Sequence, residues 1–337
     1  MKMFHVACRV TAAGLLLLPA LAAADPINLK LSFWSSDRSR IYEASIKPFV
    51  DAVNADSGGL VHIEVYFGGA ISGVQSQQPQ LVADGTADLA PAILGRTPER
   101  FHDTSVMELP GLFPDGRQAA RVFTQLAREG ALAGYEDFFV VDAFISGPES
   151  IHSRKPIAST ADLKGLRIRV NNPTEAEVLQ RFGAIPVLLA INKTTEAISN
   201  GTIDGATAPP SMLAEFGIGR VTTNHFMIGL GGVPIALLMN RKKFESLPAA
   251  AQAVIRKYGG QWLSDYTAKS LTAWDHEVLA TLEQDSRRTV VYPSAADAKA
   301  IQAVFDDVIH EYAGSSDHSR ALLARVRAML ADQSTSE

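Results

Sequence analysis

Apolar and polar positions alternate at the start of the chain, where Leu29, Leu31 and Phe33 are separated by Asn28, Lys30 and Ser32. This spacing predicts a strand over residues 27–34. From 40 to 55 the apolar residues Ile41, Ala44, Ile46, Phe49, Val50 and Val53 recur at helical spacing. Period two returns in Val61-His62-Ile63-Glu64-Val65-Tyr66, and Gly68-Gly69 reads as a turn. Residues 74–84 read as a helix and 87–91 as a short strand. A βαβαβ start of this kind implies an α/β class with a largely parallel sheet.

The pattern continues with a loop at 110–114, a helix over 117–130 and an apolar strand over 138–145 that stops at Gly147-Pro148. Composition shifts there, so a crossing between two domains is expected near 146–149. Strands are expected at 167–170, within 182–189 and at 203–205. Residues 226–240 carry Gly229, Gly231, Gly232 and Pro234, which suits a strand that bends as it changes domains. Residues 248–287 read as one long helix, weakened in its middle by Gly259-Gly260 at roughly 1 kcal/mol per glycine. A last helix is expected over 295–330, followed by a polar, frayed tail over 332–337.

The first residues change the picture. Lys2 and Arg9 are basic, residues 10–21 are apolar except for breaks such as Thr11, Gly14 and Pro19, and Ala22-Ala23-Ala24 precedes Asp25-Pro26. That order is the signature of a secretory signal over 1–24. A membrane anchor is the alternative, but the apolar run falls short of the ~20 residues that span a bilayer. Cleavage after Ala24 would remove Cys8, the only cysteine, and with it any disulfide, thiol catalysis or cysteine–zinc site.

Across 337 residues there are 31 basic and 36 acidic side chains, a net charge of −5. A nucleic-acid partner is not expected without a basic excess. Hydrophobic residues make up 47%, which is globular composition rather than disorder. Nucleotide-binding patterns fail, since Gly217-Ile218-Gly219 and Gly229-Leu230-Gly231 do not complete G-x-G-x-x-G and Gly-Lys never occurs. His276-Glu277 is not followed by the second histidine of a zinc site, and the eight histidines are scattered. The chain therefore reads as a non-enzyme with neither cofactor nor metal.

The informative stretch is Asp162-Leu163-Lys164-Gly165-Leu166-Arg167-Ile168-Arg169-Val170-Asn171-Asn172-Pro173-Thr174-Glu175. Strand alternation puts Leu166, Ile168 and Val170 on one face and Arg167 and Arg169 on the other. Asn172 suits a helix N-cap, Pro173 the first helical position, and Glu175 a capping-box-like end. An arginine is thus delivered beside a helix N-terminus, and both favour an anion. The alternative is a solvated arginine pair on a strand edge.

The run 163–170 resembles the signature of the solute-binding proteins of tripartite ATP-independent periplasmic (TRAP) transporters, the DctP-type family. Gly183-Ala184-Ile185-Pro186-Val187, Gly201-Thr202-Ile203-Asp204-Gly205, Asp84-Gly85-Thr86-Ala87-Asp88 and Leu109-Pro110-Gly111-Leu112-Phe113 agree with it, over about residues 28 to 315. The resemblance implies a two-domain periplasmic-binding-protein fold with a central cleft, crossing strands and a long domain-spanning helix. The division it implies is 26–146 plus 232–275 against 147–231 plus 276–331. Ligand would be enclosed by a hinge motion and delivered to an ion-driven membrane permease by a monomer in the periplasm. The ATP-driven importer and the sensor input are the rival uses of such a domain.

In that family the hallmark arginine, which matches Arg169, makes a salt bridge to the ligand carboxylate. The asparagine after the strand matches Asn172, for which capping and ligand contact compete. This chain departs from the family at Ala208, where an asparagine is common, at Lys193 and Thr195, and at Gly231-Gly232. The second arginine found in many members has Glu149 at the nearest position. Further wall candidates are Trp34, which also suits the core, Pro91 to Ile93, Phe144 and His152, with Gly232 at the crossing and Ser39, Arg40 and Tyr42 near the mouth. One carboxylate clamp in an apolar pocket implies an aromatic or branched monocarboxylate, because unpaired buried polar groups cost about 1–3 kcal/mol. A uronic acid or a C4-dicarboxylate is the alternative.

Overall fold

A computed structural model describes residues 26–113 and 115–334. The expected signal segment and Pro114 lie outside the described residues. The chain forms two mixed sheets rather than one largely parallel one, and the difference comes from strands that enter each sheet against the direction of its parallel core.

In the first sheet, β1 (Ile27–Ser32) buries Leu29 and Leu31 and leaves Lys30 exposed, as alternation requires. It pairs in parallel with β2 (Val61–Tyr66) and β3 (Leu89–Ile93). Two further strands, β4 (Phe138–Ile145) and β10 (Pro234–Asn240), complete the order β2-β1-β3-β10-β4, with β10 antiparallel to both neighbours. In the second sheet the strands are β5 (Glu149–Ser153), β6 (Arg167–Val170), β7 (Ile185–Leu188), β8 (Gly205–Ala208), β9 (Asn224–Leu230) and β11 (Thr289–Val291). Their order is β11-β9-β5-β8-β6-β7, and β5 runs antiparallel to β8 and β9. The short strands β5 and β11 carry no period long enough to mark them in sequence, and β8 begins only at the last residue of the expected 203–205 segment.

Helices α1 (Lys47–Asp56), α2 (Gln78–Ala83) and α3 (Gly116–Arg128) pack on the first sheet or its edges, with α7 (Arg241–Ser246) and α8 (Ala249–Tyr258). Helices α4 (Pro173–Arg181), α5 (Thr194–Ser199) and α6 (Pro210–Glu215) belong to the second. The first expected helix begins instead as a π-helical turn, Tyr42–Ile46.

The long helix expected over 248–287 is two helices, α8 and α9 (Gln261–Gln284). Gly260 adopts φ +60, which favours glycine, and its N–H bonds to the Val141 carbonyl (2.6 Å) instead of continuing a helical ladder. At 24 residues α9 extends about 36 Å, and it touches α3 and β4 at one end and α6 and β11 at the other. The last expected helix is also divided, into α10 (Ala295–Ser315) and α11 (Asp317–Ser334). Ser316 is extended and its hydroxyl accepts the Ser319 N–H (2.9 Å), so it caps a new helix instead of joining the two.

The crossing expected as one bent strand over 226–240 consists of β9 and β10 joined by Gly231-Gly232-Val233. This link lies against the other crossing, from β4 to β5, and is bonded to it: Ser146 N–H donates to the Val233 carbonyl (3.0 Å) and Val233 N–H to the Ser146 hydroxyl (2.9 Å). There is no room for side chains here. A Cβ on Gly232 would meet Ile145 Cγ2 at 2.3 Å and the Ser146 carbonyl at 2.4 Å, and one on Gly147 would meet Asp275 Oδ2 at 2.2 Å. Gly232→Ala is therefore expected to lower stability by about 1–3 kcal/mol through overpacking against backbone. Thermal or urea denaturation checks this; a wild-type midpoint would mean that the crossing can spread.

Candidate functional site

Between the two sheets lies a cavity of about 80 Å³. That is space for on the order of six water-sized positions, enough for one small ring. Its walls are Phe33, Trp34, Phe144 and Phe216 with Ile93, Ile235 and other aliphatic side chains. The first sheet contributes the ends of β1 and β3 and the middle of β10. The second contributes Arg169 and the turn that follows β6.

Local sequence places Arg169. β6 ends at Val170, and Asn172 is extended, with its side-chain oxygen accepting the Glu175 N–H (2.8 Å), so α4 starts at Pro173. The Glu175 carboxylate accepts the Asn171 backbone N–H (2.9 Å), one residue earlier than a capping box would use. Arg167 and Arg169 share a strand face, yet their surroundings differ. Arg167 turns to Asp204 and the Gly201 carbonyl at the lobe surface. Arg169, nearer the strand's carboxyl end, is fully buried.

The Arg169 Nε donates to the Leu189 carbonyl (2.8 Å) and Nη1 to the Thr207 carbonyl (3.1 Å), while Nη2 has no acceptor. A second guanidinium stands beside it. Arg96, just after β3, donates from Nη2 to the same Leu189 carbonyl (2.9 Å), and its Nε also lacks an acceptor. Burial, then the neighbouring Arg96, draws the Arg169 proton affinity down to about 10, so it stays charged at neutral pH. The expectation of a single clamp is thus corrected: a second arginine reaches the cavity from the other sheet. Its signal in sequence was position, since loops at the carboxyl ends of parallel strands line ligand clefts.

Glu149 also lines the cavity. Its carboxyl accepts the Asn171 side-chain amide (3.0 Å) and, at 3.4 Å, the Ser146 hydroxyl. The same Asn171 nitrogen lies 3.2 Å from Glu175, so the two carboxyls are neighbours. Burial and then Glu175 push the Glu149 carboxyl well above the usual range.

Of the residues singled out in sequence, Trp34, Pro91, Ile93, Phe144 and Arg169 meet in this cavity. Asn172, His152, Ala208 and Gly232 do not line it. Asn172 is an N-cap, its amide directed to Glu175 (3.3 Å). His152 is fully buried in β5, with Nδ1 2.8 Å from Nδ1 of His225 and Nε2 3.0 Å from the Ala208 carbonyl. Ala208 sits in β8 as that partner, and Gly232 belongs to the crossing. Lys193 N-caps α5, and the Thr195 hydroxyl donates to the Phe216 carbonyl (2.7 Å) at the end of α6. Tyr42 is core, packed edge-on against Phe67 at 4.8 Å.

The cavity mouth is closed by contacts from both sides. Trp34 stacks on Phe216 at 6.3 Å. The Ser39 hydroxyl and Arg40 N–H both donate to Glu215 (2.5 and 3.2 Å), and the Arg40 guanidinium reaches Glu277 (3.0 Å) over the Trp274 ring. Among the described residues no group of three or more His, Cys, Asp or Glu side chains is arranged to hold a metal, and no helix is long and apolar enough to cross a membrane.

Two sheets tied by paired crossings, with a cavity between them that carries unpaired cationic donors, are the architecture of a small-molecule binding protein. The chain belongs to the family described as bacterial extracellular solute-binding protein, family 7 (DctP), which matches residues 32–315. Members are non-enzymatic periplasmic proteins that bind small molecules and deliver them to TRAP membrane permeases. The C4-dicarboxylate-binding periplasmic protein DctP of Rhodobacter capsulatus is 23% identical over 288 residues, 85% of this chain and 86% of that one. A TRAP solute-binding protein of Rhodoferax ferrireducens, crystallised with copurified benzoate, is 26% identical with a TM-score of 0.83, covering 92% of this chain and 99% of its own. Another, from an unidentified marine microbe and described as specific for aromatic acid ligands, is 24% identical with a TM-score of 0.85, covering 91% and 99%.

The buried histidine pair has a pH consequence. Burial pushes His152 down to about 3 and His225 to about 4. Unfolded histidines take up protons near 6.5, so the pair's contribution is intact above that pH and is lost as pH falls toward 4. Each ring adds a slope of up to about 1.4 kcal/mol per pH unit. His225→Gln should therefore show a shallower fall in urea stability between pH 6.5 and 4 than the wild type; parallel profiles would exclude this origin.

Proposed function

We propose that this protein captures a small aromatic monocarboxylate of the benzoate class and carries it through the periplasm, as a monomer, to an ion-driven TRAP permease. The observation that carries the reading is the pair of unpaired donors, Arg169 Nη2 and Arg96 Nε, beside an aromatic-walled cavity sized for one ring. A carboxylate is the group that pairs guanidiniums bidentately, and Trp34, Phe144 and Phe216 offer faces and edges for a ring. Because both arginines share one carbonyl acceptor, they converge on one carboxylate rather than on two separated ones. The benzoate-bound relative from Rhodoferax ferrireducens supports the same class.

In this reading, residues 26–146 plus 232–275 and residues 147–231 plus 276–331 move about the two crossings, and the Glu215 contacts hold the closed form. Residues 1–24 act as the export signal. A thermal-shift screen of ligand-stripped protein tests the ligand class with benzoates, phenyl- and branched 2-oxo acids, C4-dicarboxylates, uronates and amino acids. Stabilisation by the aromatic acids is expected; stabilisation by uronates or dicarboxylates alone would replace the ligand class. Arg169→Ala and Arg169→Lys are each expected to weaken benzoate binding by roughly 2–5 kcal/mol, read by calorimetry. Near wild-type affinity in both would remove Arg169 from the site.

A further inference from the structure

We propose that the site takes its organic acid together with one proton, which is held on the carboxyl of Glu149. The inference rests on the carboxylate reading above and follows from the charges that face one another around the cavity. Two guanidiniums are present, Arg169 from β6 and Arg96 from the loop after β3. Three carboxyls are buried around them: Glu149 on β5, Glu175 on α4 and Glu108 just before the Leu109 loop. Asp275 of α9 approaches from the crossing, and His152, three residues along β5, stays neutral. An ionised ligand adds a fourth carboxylate to the three buried ones. With all four ionised, the enclosed cluster would hold two more negative than positive charges, and each uncompensated buried ion costs several kcal/mol.

The hydrogen bonds identify where the proton goes. Glu175 accepts the Asn171 backbone N–H, lies 2.6 Å from the Thr207 hydroxyl, and faces the side-chain amides of Asn171 and Asn172. That many donors stabilise a carboxylate. Glu108 faces Thr174 (3.2 Å) and does not line the cavity; burial, then Glu175, pushes its carboxyl up to about 8. Glu149 lines the cavity and has one good donor, the Asn171 amide. Of the three carboxyls it alone lines the cavity, so it is the one that a ligand carboxylate would face.

The step is balanced simply. In the open cleft water reaches Glu149 and favours its carboxylate form. On closure over the ligand, one solvent proton adds to a Glu149 oxygen, and the resulting O–H faces the ligand carboxylate as a donor instead of repelling it. Glu149 thereby favours monoacids, since a second ligand carboxylate would add another uncompensated charge.

The test is calorimetry of benzoate binding to the full mature protein in buffers of differing ionisation enthalpy, with the Glu149→Gln variant in parallel. The wild type is expected to take up as much as one proton per benzoate, with affinity falling by up to tenfold per unit as pH rises. Glu149→Gln, which keeps the shape of the neutral acid, is expected to lose that uptake and give a flat profile. Benzoate binding by the wild type without proton uptake would overturn the proposal and leave the aromatic-acid reading standing. The same uptake in Glu149→Gln, vanishing instead in Glu108→Gln, would move the proton elsewhere and overturn it too. No benzoate binding at any pH would remove both readings together.

Discussion

A guanidinium with no carboxylate bonded to it, buried at the end of β6, is the constraint on which the rest of the site depends. Arg169 is fully buried, and its bonds go to the carbonyls of Leu189 and Thr207 rather than to an ion-pair partner. The carbonyls take only two of its donors and Nη2 is left without an acceptor; a buried unmet donor costs about 1–3 kcal/mol, which a ligand oxygen would relieve. The Leu189 carbonyl makes this a problem of both lobes, because Arg96 from the first sheet donates to it as well. One backbone oxygen of the second lobe therefore fixes the spacing of two cations from different sheets.

The crossings and the cavity-lining arginines are separated in the architecture. The crossings at 146–148 and 231–233 are stitched to each other by Ser146 and Val233, and glycines allow their backbones to touch. α9 lies across both lobes and places Asp275 at the crossing and at the start of α6, where it accepts the Ser211 N–H (2.8 Å). Recognition groups sit on strand ends and the turns after them. The Trp34–Phe216, Ser39–Glu215 and Arg96–Leu189 contacts all join the two lobes, whereas Arg169 is held by carbonyls of its own lobe.

The carboxyls around the arginines set the electrostatic character of the cavity as firmly as the arginines do. Asn171 bridges Glu149 and Glu175 through one amide nitrogen, which holds two acidic groups side by side in an otherwise apolar enclosure. Burial raises both. For the proposed ligand, such a cluster would add a limit on charge to the limits on shape and ring contact that the aromatic walls impose.

Much of this was legible along the chain. Alternation in 27–32 and 167–170, the Asn172-Pro173 helix start and the glycines near 231 are local signals, and each names its element because backbone geometry acts within a few residues. Arg167 and Arg169 could be placed on one strand face beside a helix start for the same reason, within fourteen residues; the choice of Arg169 between them came from the family resemblance. The breaks at Gly260 and Ser316 escaped helical periodicity because a bond to Val141 and a serine cap compete with the ladder. Sequence placed Arg96 only after a strand and Glu149 only at the first crossing, because no local pattern brings the two together. Position 96 reaches Leu189 only when the lobes meet, and position 149 faces the cavity only because the antiparallel pairing of β5 sets its register. The sequence by itself determined the elements, the family and the principal cation. The tertiary structure decided which second cation and which acid share its cavity, because that choice rests on contacts between distant strands.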